Sequence, residues 1–249
     1  MNNRTFLLVL GAPRSGTTLL TAMIGRHDEV AMLNEDLNGT MRKVIGKRVV
    51  GNKLCVPNQI ELRERGGPWQ RKLQRRGYFQ YRPASSQSIE DYMARRPLKL
   101  VAIVRDADSV VTSIMGRGKK SFRLAVYRWR RSIEVIHELN ECYSGQLFLL
   151  TFEQLVSDPQ PAMRGIAEHL GITYQPKMLE GYAYTPIYKN SGIDSARARK
   201  QTTVDIRGVL GRDCAGVFEK YETLIQACTG NTRTFVQSSE TSLLSGAGV

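Results

Sequence analysis

Thr5-Phe6-Leu7-Leu8-Val9-Leu10 followed by Gly11-Ala12-Pro13-Arg14-Ser15-Gly16-Thr17-Thr18 is the stretch that decides the architecture. An apolar run without polar alternation, cut off by glycine, reads as a strand buried on both faces. The residues after Gly16 take up a helical pattern, with Leu19, Leu20, Met23 and Ile24 on one side. Between strand and helix, the glycines let the backbone turn tightly and aim several N–H groups at one oxyanion. The partly positive N-terminus of the following helix adds to that attraction.

Outward from this stretch the pattern repeats. Strands are predicted at 6–10, 49–51, 100–104 and 147–150, and helices at 17–25, 109–115, 122–143 and 161–170. Short apolar runs alternating with amphipathic ones imply an α/β fold, a P-loop NTPase-like parallel sheet flanked by helices. The 249 residues suit a single domain, assigned to 1–230. The stretch 66–97, rich in Gly, Pro, Gln, Ser and Arg, reads as an insertion or lid, and 231–249 as a disordered tail. A hydrophobic content of 41% with 24% charged residues fits a soluble globular protein, and no run approaches the roughly 20 apolar residues of a membrane span. No signal peptide is recognised, and the four cysteines lack CxxC or zinc spacing, so a cytoplasmic protein with free thiols is expected.

The loop departs from that of an NTPase. In G-x-x-x-x-G-K-[ST] the lysine reaches the β- and γ-phosphates; here Thr17 stands in its place. The loop's cation is instead Arg14, whose guanidinium grips an oxyanion through a two-pronged fork. The strand 100–104 closes on Arg105, where an NTPase would carry an acidic Mg²⁺ ligand. A site for an anionic nucleotide without metal is therefore expected. Ser113 follows eight positions after Arg105, so a strand end and a helix's second turn can converge on one phosphate.

Pro13-Arg14-Ser15-Gly16-Thr17-Thr18 resembles the 5′-phosphosulfate loop of sulfotransferases that use 3′-phosphoadenylyl sulfate (PAPS). Arg14 with Leu19-Leu20 is similar to the tyrosylprotein members. The resemblance implies PAPS as sulfuryl donor. It further implies that Arg14, Ser15, Gly16, Thr17 and Thr18 hold the phosphosulfate and that Arg105 and Ser113 hold the 3′-phosphate. Tyr127-Arg128-Trp129 resembles a helix whose Trp either lies near the adenine or packs in the core. In Thr151-Phe152-Glu153-Gln154-Leu155-Val156, Phe152 stands where the family has a Tyr bordering the nucleotide. A weaker echo runs through 202–209.

For the base, His27, His137 and His169 fall outside the family's position. Glu35, twenty-one residues after Arg14, matches the tyrosylprotein base, with Asp36 as fallback. A carboxylate at a helix N-terminus is the structural alternative for Glu35. Lys53 in Gly51-Asn52-Lys53 matches a lysine that neutralises the leaving group, with an exposed surface lysine as its alternative. Secreted relatives carry a cysteine pair at the positions of Met32 and Gly51.

The net charge of +13 is concentrated in 42–82, where twelve basic residues face only Glu61 and Glu64. This is a solvated face or a site for an anionic acceptor or a polyanionic cofactor. A P-loop kinase and a basic nucleic-acid-binding module are the rival readings. The latter leaves both phosphate motifs unexplained, so no nucleic acid is expected as partner. The acceptor is a hydroxyl whose class (sugar, tyrosyl peptide, lipid or phenol) is left open.

Overall fold

A computed structural model describes residues 4–63, 87–95, 97–118, 120–184 and 205–244. Its centre is a five-stranded sheet of β1 (Thr5–Gly11), β2 (Val30–Asn34), β3 (Val49–Cys55), β4 (Leu98–Val104) and β5 (Leu147–Thr151). All pairings are parallel and the order is β2-β3-β1-β4-β5. Around it run helices α1 (Thr17–Ile24), α2 (Ile89–Arg95), α3 (Ala107–Gly118), α4 (Phe122–Tyr143), α5 (Phe152–Ser157), α6 (Pro159–Leu170), α7 (Ile206–Leu210) and α8 (Ala215–Leu244).

The apolar run in β1 does what a strand buried on both faces should. Leu8 and Leu10 join a core with Trp129, Ile133 and Ile136 of α4, while Leu7 and Val9 join one with Leu20, Met23 and Ile166. One layer of helices covers each face. The second layer is drawn in by Gly181, where any Cβ would run into the α1 backbone at Met23.

Three departures from the sequence expectations have local causes. β2 was not foreseen, because five residues ending in Asn34 carry too little periodicity to mark an edge strand. α2 falls inside the predicted insertion: Ile89 is buried, with Tyr92 and Met93 packed partly on the core. Residues 66–86 of that insertion lie outside the described residues. Its stem is closed by Ile89 N–H donating to the Glu61 carbonyl (2.9 Å) and Glu90 N–H to that of Leu62 (3.1 Å). Lastly, the backbone stays helical through 231–244, where an unstructured tail was expected. No Gly or Pro interrupts that stretch, and extending an established helix needs no new nucleus.

Met32 and Gly51 are partners in the β2–β3 register. The Met32 thioether fills the space a side chain at 51 would need. All four cysteines are free. No helix among the described residues is long and apolar enough to cross a membrane.

Candidate active site

Because the strands run in parallel, the residues that follow them lie along one edge of the sheet. In the order of the strands these are Glu35 after β2, Lys53 near the end of β3, the loop 11–18 after β1, Arg105 after β4 and Phe152 after β5. The strand order reverses about β1, which is where open parallel sheets form their ligand crevice.

The loop is built for an anion. Gly16 sits at φ 101° and no side chain caps α1. The first amides of the eight-residue helix therefore lack an intrahelical or capping side-chain partner. A Cβ on Gly16 would collide with the Phe152 ring, so only glycine fits there. Ser15 is buried and donates its hydroxyl to the Ala12 carbonyl (2.8 Å), bracing the turn. Thr17 is also buried, its Oγ1 3.8 Å from Cys55 Sγ. Thr18 is exposed. Burial pushes the Cys55 thiol up, against the lowering pull of Lys53, so it stays protonated at neutral pH.

The two halves of the predicted nucleotide site meet. Arg14 Nε donates to Ser113 Oγ at 2.9 Å, and Arg105 Nη1 donates to the Arg14 carbonyl at 3.4 Å. The Arg105 guanidinium lies 4.0 Å from the centre of the Phe152 ring. Phe152, placed by the resemblance at the border of the nucleotide, is only 2% exposed, its ring set into the core. Burial follows from its seat at the start of α5. Thr151 and Gln154 cap each other's backbone there (3.0 and 2.9 Å), turning the ring inward.

Two strands away, Lys53 Nζ donates to Glu35 Oε1 at 2.5 Å. The Lys53 side chain is 3% exposed and that of Glu35 43%. Lys53 is thus no surface lysine. Glu35 follows a strand at φ 59° and does not begin a helix. Among the described residues, Arg14 (φ 76°) and Glu35 are the only non-glycine residues at positive φ. Backbone held in that sparsely populated region clusters at functional sites. Asp36 is otherwise engaged, its carboxylate accepting from Asn38 N–H (3.1 Å), Thr40 N–H (2.7 Å) and Thr40 Oγ1 (3.0 Å). Burial pushes that carboxyl up, but these bonds outweigh it and hold it below the ordinary range.

Asn52 escaped the sequence reading, and Trp129 takes the core position that was one of its two alternatives. Asn52, fully buried, accepts from Asp36 N–H (3.1 Å) and donates to the Asp36 carbonyl (2.8 Å), fixing the backbone beside Glu35. Its signal was a polar side chain inside an apolar strand. Trp129 Nε1 donates to the Arg105 carbonyl at 3.1 Å from within the core. The histidines lie elsewhere. His27 bonds the Thr173 carbonyl (2.7 Å), His137 pairs with Glu141, and burial lowers His169 to about 4. Of the basic segment, Arg42, Lys43 and Arg48 are exposed and Arg63 pairs with Glu90 and Glu138; 64–82 lie outside the described residues.

A sulfotransferase family model matches residues 69–176. Protein-tyrosine sulfotransferase A of Caenorhabditis elegans is 29% identical over 217 residues, 71% of this chain and 53% of that protein. Over residues 69–176 the chain is similar to the sulfotransferase family. The protein-tyrosine sulfotransferase of Drosophila melanogaster is 24% identical to this chain over 237 residues, 83% of the chain and 46% of the relative. The chain thus spans about half the length of these relatives. Its fold is shared with the sulfotransferase domain of the Synechococcus PCC 7002 olefin synthase, with a TM-score of 0.61 and 16% identity over 89% of this chain and 95% of that one. The family match contains Arg105, Ser113 and Phe152, and Arg14, Glu35 and Lys53 precede it.

Proposed function

We propose that this chain moves the sulfuryl group of PAPS to an acceptor hydroxyl. One observation carries the reading: Arg14 bonds both Ser113 and Arg105 beside an uncapped helix N-terminus, on the same sheet edge as the Glu35–Lys53 pair. PAPS, when bound, supplies a sulfuryl group for in-line transfer with charge developing on peripheral oxygens.

The residues present fit such a donor. Arg14 and the α1 amides suit its phosphosulfate, and Arg105 with Ser113 suits a second anionic group a loop's width away. Thr17, turned against Cys55, has no cation to offer a γ-phosphate, which disfavours a kinase. Lys53 holds its ammonium at the site's edge for a leaving oxygen. Glu35 keeps a carboxylate within reach of solvent, where an acceptor proton can be taken. Such a base suits a phenol, with a pKa of about 10, better than an alkyl alcohol. The names of the relatives favour a tyrosyl acceptor on separate grounds.

The test is transfer of label from sulfur-labelled PAPS to a tyrosyl peptide in the presence of EDTA. Label is expected on the peptide with or without chelator. A strict need for a divalent cation, or transfer from ATP instead, would overturn the proposal.

A further inference from the structure

The Arg105 side chain is long, has many rotamers and is only 12% exposed, so something must hold it in place. Besides the bond from its Nη1 to the Arg14 carbonyl (3.4 Å), two neighbours pull on the guanidinium from opposite sides. On the solvent side, Asp106 Oδ2 lies 3.9 Å from Arg105 Nε, and its own side chain is 41% exposed. Left to itself, that carboxylate draws the guanidinium outward and neutralises it. On the inner side, the Phe152 ring lies 4.0 Å from the guanidinium carbon. The π face attracts the cation without cancelling its charge. At the other end of the residue, the Trp129 indole N–H fixes the Arg105 carbonyl at 3.1 Å. That indole is itself immobile, 1% exposed and packed on Phe218 and Tyr221 with ring centres 5.2 and 5.9 Å away.

We propose that Phe152 and Trp129 are positioning residues that brace Arg105, side chain and backbone, against Asp106, and so set the preference for a nucleotide bearing a 3′-phosphate. The aromatic residue after β5 acts on the nucleotide through Arg105, because at 2% exposure it presents no face to a base. The proposal rests on the PAPS reading above and adds to it the source of the 3′-phosphate selectivity. A guanidinium already held in place loses less freedom when the phosphate arrives.

Calorimetry on 3′-phosphoadenosine 5′-phosphate (PAP) and AMP, which differ by the 3′-phosphate alone, separates the possibilities. Phe152→Leu is expected to weaken PAP about tenfold and AMP about twofold or less, because Arg105 turns to Asp106. Phe152→Tyr keeps the aromatic face and should keep the wild-type preference. Trp129→Phe keeps the ring packing and removes only the N–H, so the PAP-over-AMP ratio should fall severalfold. This variant decides the matter if Phe152→Leu fails to fold. Equal losses for both nucleotides, or an unchanged ratio, overturn the brace. A wild-type chain that does not prefer PAP to AMP overturns the PAPS reading itself.

Discussion

Replacing Lys53 with Met lowers sulfuryl transfer by about 10²–10³-fold while the melting temperature stays level or rises. The two halves of this expectation have separate causes. The ammonium is the cation nearest the carboxylate proposed as base, and a buried cation aimed at developing charge is worth most where water is excluded. Burying that ammonium is itself unfavourable, and Met fills nearly the same space without a charge. Glu35, at 43% side-chain exposure, is rehydrated when its partner goes, so no stranded charge remains. Turnover of labelled PAPS and a thermal melt on the same preparation check both halves. A large fall in melting temperature with turnover per folded molecule unchanged would make Lys53 a structural residue.

Glu35→Gln should reduce turnover by roughly 10²-fold or more, with PAP affinity nearly unchanged. The amide oxygen still accepts from Lys53, so the lysine keeps its place; what is lost is the ability to take a proton. Asp36→Asn is the control. Its carboxylate is committed to the turn at Asn38 and Thr40, so that change should act on stability more than on turnover. A collapse of turnover confined to Asp36→Asn would move the base by one residue.

What was legible in the sequence was what local structure dictates. The loop 11–18 was readable because a strand, glycines and a helix lie within a few residues of one another. Arg105 was readable because a cation ending an apolar strand is unusual. The Glu35 and Lys53 candidates came from the resemblance to tyrosylprotein sulfotransferases, and their ion pair needed β2 and β3 to be neighbours in register, with Asn34 opposite Lys53. β2, an edge strand only partly buried, was not foreseen. The Arg14–Ser113 bond joins residues 99 apart, and Trp129 reaches Arg105 across two elements, contacts that no periodicity encodes. Phe152 was expected to face the nucleotide. Whether an aromatic beside a loop turns outward or inward is decided by the capping geometry around it, here Thr151 with Gln154.

The most direct measurement of the central claim is calorimetric titration of the wild-type chain and Arg105→Ala with PAP and with AMP. Two charged hydrogen bonds of about 1.5–3 kcal/mol each to the 3′-phosphate should make PAP bind at least about 10²-fold tighter than AMP. Arg105→Ala should remove most of that difference and leave AMP binding almost as it was. Equal wild-type affinity for the two nucleotides, or an equal loss of both in the variant, would contradict the account.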